Sequence, residues 1–479
     1  MPHRTLRSLV ALLVVVATLG VTTTVARAAP GARGCDVEVT PADDVVRAVD
    51  RAGPGATVCL RQGTYRLTRP LRPHRGQTLV GPRAVLDGSR VLRGWRREGR
   101  VWVVGGQHQE GQRTGTCLRG RACTYPDDVL RDGRPLRRVL SRADVGPGRY
   151  WFDYRRDRIL LGGDPRGHAL SVLVSRGGIA SRAGARGADV TVRGLTVQHM
   201  ASPAQHGAIE VTAPGWLVTG TVVRDNHGAG ITAGGRVRLL DNRVVRNGQL
   251  GIGGVGVDTV VAGNTIGDNG GGGFDPAWEA GGAKWAVTDR LVVRRNLVVG
   301  NHGPGLWTDI DAQHTTYARN VVRGNSGPGI FHEISADAVI RDNLVTGNGH
   351  GSATWLWGSG VLVAGSHDVD VVGNRLAGNA AGIGLVQQDR GVSDVDGTPR
   401  RLHDVRVRDN GVRLARSETG MVQDDGDRSV FDDDTITWTG NTWLQRGPTP
   451  FLWDDAALTL AQWRALGHDV PASTPRDSP

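Results

Sequence analysis

Asparagine recurs in pairs at positions i and i+5: Asn242/Asn247, Asn264/Asn269, Asn296/Asn301, Asn320/Asn325, Asn343/Asn348 and Asn374/Asn379. A Val, Ile or Leu stands two places after the first member of each pair, and successive pairs start 22, 32, 24, 23 and 31 residues apart. A unit of roughly 20–25 residues cannot bury its own apolar side, so it must stack on its neighbours into a solenoid. Two strands joined by a tight turn fill such a unit, which predicts an all-β solenoid of the β-helix class. The asparagines are read as turn residues that accept left-handed backbone and hydrogen-bond to adjacent turns.

The two long intervals hold insertions, Gly270–Gly282 and Gly349–Trp357, and both flank an unusual pair of strands. Gly305-Leu-Trp-Thr-Asp-Ile-Asp311 aligns with Gly329-Ile-Phe-His-Glu-Ile-Ser335, 24 positions on. Period-2 alternation would turn Leu306 and Ile310 inward, and Trp307, Asp309 and Asp311 outward. Glu333 then falls one coil above Asp309, and Phe331 above Trp307. Lys284, the only lysine among 58 Lys plus Arg, lies one coil earlier, after Glu279. Insertions on either side are expected to wall this polar patch.

Composition agrees with many tight turns: 71 glycines and only 5% aromatic residues. Arg4 and Arg7, the apolar run Leu9–Leu19 and Ala26-Arg27-Ala28 have the pattern of an export signal over residues 1–28. Removing Arg4, Arg7 and Arg27 takes the net charge from +11 to +8. The apolar run is short for a membrane span and no second one approaches it. The mature chain is therefore expected to be secreted, extracellular and free of the membrane. Four cysteines, Cys35, Cys59, Cys117 and Cys123, fit an oxidising compartment. Nearness in sequence favours Cys35–Cys59 and Cys117–Cys123, with three connectivities open.

Along the chain, residues 29–92 read as an N-terminal cap and first coils, with a short amphipathic helix over Asp43–Ala52 laid across the open end. Residues 93–174 break the rhythm and read as an inserted β-rich subdomain, with Asp132-Gly133 as a hairpin turn. Residues 175–430 carry the repeats, which fade after about residue 412. Residues 431–470 form a C-terminal cap, with a last strand over Phe431–Thr439 and a helix over Ala456–Leu466. Residues 471–479 are a polar tail.

The helix followed by Gly63-Thr64-Tyr65, the Leu86-Asp87-Gly88 turn, the Asn-x-Val-x-x-Asn coils and the Trp463 helix resemble secreted right-handed parallel β-helix repeat proteins. That pectate-lyase-like superfamily includes pectate lyases, polygalacturonases, alginate lyases and phage tailspikes. The resemblance implies the right-handed parallel solenoid and a polysaccharide partner. The polygalacturonase motifs Asn-Thr-Asp, Gly-His-Gly and Arg-Ile-Lys are absent in those forms, and fold alone does not give function.

Two chemistries suit the patch. Hydrolysis needs one carboxylic acid on the leaving oxygen and a second carboxylate to activate water or attack the sugar. From strand spacing, Asp309 and Glu333 would stand about 5 Å apart and Asp311 and Glu333 about 8 Å. The diagonal pair falls within the inverting separation of about 6.5–9.5 Å. This reading needs no cofactor, and it is slightly favoured. β-Elimination from a uronate would use Lys284 as base, with Arg294 or Arg295 neutralising the carboxylate. Alternatively, Asp309, Asp311 and Glu333 could hold Ca²⁺.

Around these catalytic candidates, Glu279, Trp307, His332, Trp355, Trp357, Gln387 and Gln388 are candidates for binding sugar. His302 and His314 lack metal-ligand spacing. No phosphate-binding loop, dinucleotide motif or Ser-His-Asp arrangement is legible, and no nucleic-acid partner is expected. The chain is expected to be monomeric. The rival from another class is a non-catalytic polysaccharide-binding or surface protein.

Overall fold

The computed structural model describes residues 34–470, apart from residues 353, 415–417, 446–450 and 455. The expected signal (1–28) and tail (471–479) lie outside the described residues. Three long sheets dominate, of 13, 12 and 12 strands, here called A, B and C. Every adjacent pair within them runs parallel, save the last pair of sheet C. One coil shows the logic. Arg238–Leu240 lies in sheet A, Arg243–Val245 in sheet B and Leu250–Val257 in sheet C, before Val260–Ala262 returns to sheet A.

Apolar residues at alternate positions of all three sheets meet inside. Leu239, Val244, Ile252, Val261 and Ile266 are all fully buried there. The corners explain the asparagine period. Asn242 follows a sheet A strand and Asn247 a sheet B strand, so each pair marks two corners of one coil. The asparagine side chains point inward and stack into two ladders. The N–H and Nδ2 of Asn296 both donate to Oδ1 of Asn320 at 3.0 Å, and Nδ2 also donates to the Val261 carbonyl at 2.9 Å.

The left-handed backbone belongs to the residue before each asparagine and not to the asparagine itself. Asp241, Arg246, Gly263, Asp268, Arg295 and Gly300 all have φ between 54° and 69°. That preceding residue turns the chain, which frees the asparagine to face its neighbours in the adjacent coils.

Val45–Arg51 forms a helix over the first coils, capped by Asp44, whose side chain accepts from the Arg47 N–H. Between Asp87 and Ile179 the chain leaves the solenoid and builds two small sheets of four and five strands. Val129–Arg131 and Arg134–Pro135 form the hairpin around Asp132-Gly133. Both cysteine pairs are disulfides, Cys35–Cys59 and Cys117–Cys123.

The far end differs from expectation. Coils continue beyond residue 412, through Glu418–Gln423, Thr442–Gln445 and Phe451–Trp453. Phe431 lies in a 3₁₀ turn over Arg428–Asp432, and the following strand is only Thr437–Thr439. Ala456–Leu458 is a strand and the helix is Leu460–Ala465, closed by a Thr459/Gln462 capping box. It seats Trp463, fully buried, over the last coil.

Candidate functional site

Sheet C carries the patch. Gly281–Asp289, Leu306–Asp309 and Ile330–Glu333 are adjacent parallel strands, with Lys284 opposite Trp307, Trp307 opposite Phe331 and Thr308 opposite His332. Extending that register puts Asp309 beside Glu333. Ala286 lies before Asp309 on the same row and Ala364 beyond Glu333. The carboxylates thus stand between two residues too small to crowd them.

Lys284, Asp309 and Glu333 come together on this face as a largely buried polar cluster, the recess. Lys284 Nζ lies 2.8 Å from Asp309 Oδ2, 3.0 Å from the Trp278 carbonyl and 3.7 Å from the centre of a Trp307 ring. Each direction offers the ammonium an acceptor or a π face. Glu333 accepts from Trp307 Nε1 at 3.1 Å and from Arg390 Nη1 at 2.7 Å. Asp309 and Glu333 are only 6% and 7% exposed. The second Asp309 oxygen, Oδ1, is buried with no hydrogen-bond partner. Such an orphan costs free energy on the order of 1–3 kcal/mol, and native proteins keep few of them.

Burial, reinforced by the neighbouring Asp309, pushes the Glu333 carboxyl above the usual carboxylate range, against the opposing pull of Arg390 and Lys284. Glu279 is also raised, again chiefly by burial. It ends the short turn of helix Pro276–Glu279 and accepts from Gln205 Nε2 at 2.6 Å, at the rim of the recess.

Asp311 does not join this group. Ile310 and Asp311 both turn left-handed, with φ of 54° and 56°, so alternation ends at Asp309. Ile310 is 38% exposed instead of inward. Asp311 is drawn to Arg400 Nη2 at 2.9 Å and to the Asp394 N–H at 3.0 Å. The diagonal pair and the proposed Ca²⁺ triad therefore do not assemble. Among the described residues no group of three His, Cys, Asp or Glu converges to hold a metal ion.

His332 is corrected as well. It alternates inward, fully buried, with Nδ1 2.7 Å from Thr308 Oγ1. Burial holds its pKa down to about 3. It cannot touch a sugar outside the solenoid. Gln387 is 2% exposed and spent on its own fold: Oε1 accepts from the Leu402 N–H and Nε2 donates to Asp425. Gln388 is half-buried and donates to Asp424. Arg294 ends a sheet A strand, and Arg295 is at the corner after it, so neither shares the face of Lys284.

Trp307 stacks on Phe331 at 5.4 Å, and Trp357 meets Phe331 edge-on at 6.2 Å. Trp355 and Trp357 are half-buried around Leu356 and Leu362, so this insertion roofs the sheet C face beyond Phe331.

Arg390 was not anticipated from the sequence. It lies in the long excursion between the strands Ala381–Gln387 and His403–Arg408. The ladder spacing of 36 residues from Asn374 to Asn410 marks that excursion, once Asn410 is recognised as the next rung. Gln205 and the Trp278 carbonyl had no such signal.

A family model described as right handed beta helix region matches residues 207–376. No curated protein matches the chain. Among solved structures, XylC in complex with xylose is 14% identical with a TM-score of 0.57, over 85% of this chain and 83% of that one. The A-module of the Azotobacter vinelandii mannuronan C-5 epimerase AlgE6 is 16% identical, with a TM-score of 0.47 over 86% and 91%. A structure described as a glycoside hydrolase is 10% identical, with a TM-score of 0.44 over 85% and 96%. The likeness to XylC, at 14% identity, speaks to fold and not to activity. With three parallel sheets, inward asparagine ladders and this match over residues 207–376 together, the chain folds as a right-handed parallel β-helix.

Proposed function

We propose that the protein is an exported enzyme that hydrolyses glycosidic bonds of an extracellular polysaccharide, with Glu333 as general acid and Asp309 as its partner carboxylate. The carrying observation is the pairing of a carboxyl raised by burial with a carboxylate that keeps one buried oxygen unpartnered, one coil away. A raised acid holds its proton for the leaving oxygen, and the second carboxylate assists the anomeric carbon. Neighbouring coils are separated by about 4.8 Å. That is nearer the separation of about 5–5.5 Å found in retaining glycosidases than the inverting one. The geometry thus favours retention over the inversion that Asp311 would have served. Two disulfides support export.

Elimination is less well supported. Lys284 Nζ is already engaged by the Asp309 carboxylate, the Trp278 carbonyl and the Trp307 ring, and Arg294 and Arg295 are not on its sheet face. The binding-protein reading has one observation in its favour: Asp309 and Glu333 each already has a cationic partner.

Incubation with neutral and acidic polysaccharides, followed by reducing ends and ultraviolet absorbance, separates the three. Hydrolysis raises reducing ends without absorbance, and Glu333→Gln abolishes the rise. Both signals rising together identifies a lyase. Glycan binding without shortening identifies a binding protein.

A further inference from the structure

A cavity of about 1460 Å³ lies away from the carboxylates. It lies between the excursion that leaves the solenoid at Asp87 and the turns joining sheet B to sheet C. One wall is the hairpin around Asp132-Gly133 with the segments before and after it. The other is three successive turns, at Arg224–His227, Arg246–Gly248 and Asp268–Gly273.

The walls are fastened at the base. His227 bridges them, with Nδ1 2.7 Å from Asp128 and Nε2 2.9 Å from the Cys123 carbonyl. The Cys117–Cys123 loop is tied to the solenoid turn by Leu118 N–H to Gly273 O at 3.0 Å and Asp275 N–H to Thr116 O at 3.0 Å. The cleft is therefore a preorganised feature and not a gap between loosely associated parts.

Its unpaired charge is mainly basic. Arg119, Arg134 and Arg137 are exposed on the excursion wall and have no ion-pair partner among the described residues. Across from them, Arg224 Nε is buried without a hydrogen-bond partner, its closest carboxylate oxygen being 3.8 Å away on Asp225. Three of the four acidic lining residues are paired, Asp128 with His227, Asp132 with His168 and Asp225 with Arg246, and only Asp268 is exposed without an ion pair among the described residues, against three such arginines. Planar guanidinium groups with free donors, lining a long cleft, match carboxylates or sulfates repeated along a polymer.

We propose that this cleft is a second binding site, for a polyanionic linear glycan. The segment that forms one lip, Asp268–Gly273, leads within six residues to Glu279 at the rim of the recess, so a chain held in the cleft lies on the approach to that site. The inference concerns binding and stands whether or not the carboxylates cleave sugars.

The test uses the full-length Glu333→Gln protein, so that turnover does not enter the measurement. Labelled polygalacturonate, dextran sulfate, neutral dextran and a single-stranded DNA of similar length are titrated at low and high salt. The expected result is binding of one or both polyanionic glycans, weakening steeply with salt, and none of neutral dextran. Combined Arg119→Ala, Arg134→Ala and Arg137→Ala substitution weakens it by roughly tenfold or more. Arg375→Ala with Arg413→Ala, exposed arginines elsewhere, leaves it unchanged. All five positions are exposed, so melting temperatures should stay near the parent's and confirm folding.

Carboxylated against sulfated glycan preference identifies which anion the cleft takes. No binding, equal binding of neutral dextran, equal losses in the two arginine variants, or tighter binding of DNA would each overturn the proposal.

Discussion

The corner ladders and the sheet C recess both bury polar side chains on stacked coils, yet they treat those groups in opposite ways. In the ladders each interior amide is satisfied in both directions. Asn320 accepts from Asn296 and donates to Asn343 and to the Val293 carbonyl. The group is neutral, identical from coil to coil, and nothing is left over. In the recess the groups are charged and differ on each coil, and one carboxylate oxygen is left without a partner. A fully satisfied network defines a fold. A network one partner short is a place where the scaffold carries a cost that a ligand can remove.

The sharpest way to break this contrast is Glu333→Gln. If the recess is catalytic, turnover falls by roughly 10²–10⁴-fold, the range for losing a general acid. The variant should stay folded with a melting temperature within a few degrees of the wild type, because Gln keeps an acceptor for Trp307 Nε1. Activity retained within a few-fold would reduce the recess to a second, imperfect ladder. In the wild type, activity should also fall as pH rises through the raised Glu333 pKa, since only the protonated acid can donate.

Asn320→Ala attacks the other side. The substitution strips the acceptor from both the N–H and Nδ2 of Asn296 and leaves the Val293 carbonyl without its donor. A loss of about 2–4 kcal/mol in unfolding free energy is expected. Chemical denaturation measures it, and a change below about 1 kcal/mol would mean that the ladder is ornament to the β-ladders.

The ladder was legible because it repeats. Asparagine at fixed spacing before a Val, Ile or Leu sets period, coil and corner, with its geometric role shifted by one residue because the preceding residue takes the positive φ. The recess was legible only where strand alternation held. Trp307, Asp309, Phe331 and Glu333 face outward as period 2 requires, but two consecutive left-handed residues took Asp311 to Arg400. Arg390 and Gln205 reach the site by tertiary folding of loops, which no local period encodes.

His332 belongs to a third category, a titratable group inside the solenoid. Its folded pKa of about 3 lies below the ordinary histidine value of 6.5. The unfolded chain therefore binds the extra proton first, and stability drains away as pH falls below about 6.5 towards 3. Melting curves from pH 7 to pH 4 should show this component in the wild type and lack it in His332→Leu, whatever the variant's starting stability. Equal pH slopes would place a different group in control of the acid limb.

The smallest effect is also the most discriminating for the recess. Glu333 is an acid whose folded pKa is raised, so its sign is opposite to that of His332. The native state holds the proton more tightly, its contribution is fully present below the ordinary glutamate pKa, and it is lost as pH rises through the raised value. Above the raised value the ionised, buried Glu333 is therefore a burden on stability that Arg390 only partly offsets. Glu333→Gln should melt slightly higher than the wild type at pH above the raised Glu333 value, and the gap should close as pH falls below the ordinary glutamate range (an order of about 1 °C to a few degrees for a modest difference in free energy). A catalytic acid kept at the expense of stability predicts that pattern together with the loss of turnover. A variant that melts lower at every pH would show instead that the Arg390–Glu333 pair holds the excursion in place, and would make the recess a structural junction like the ladders beside it.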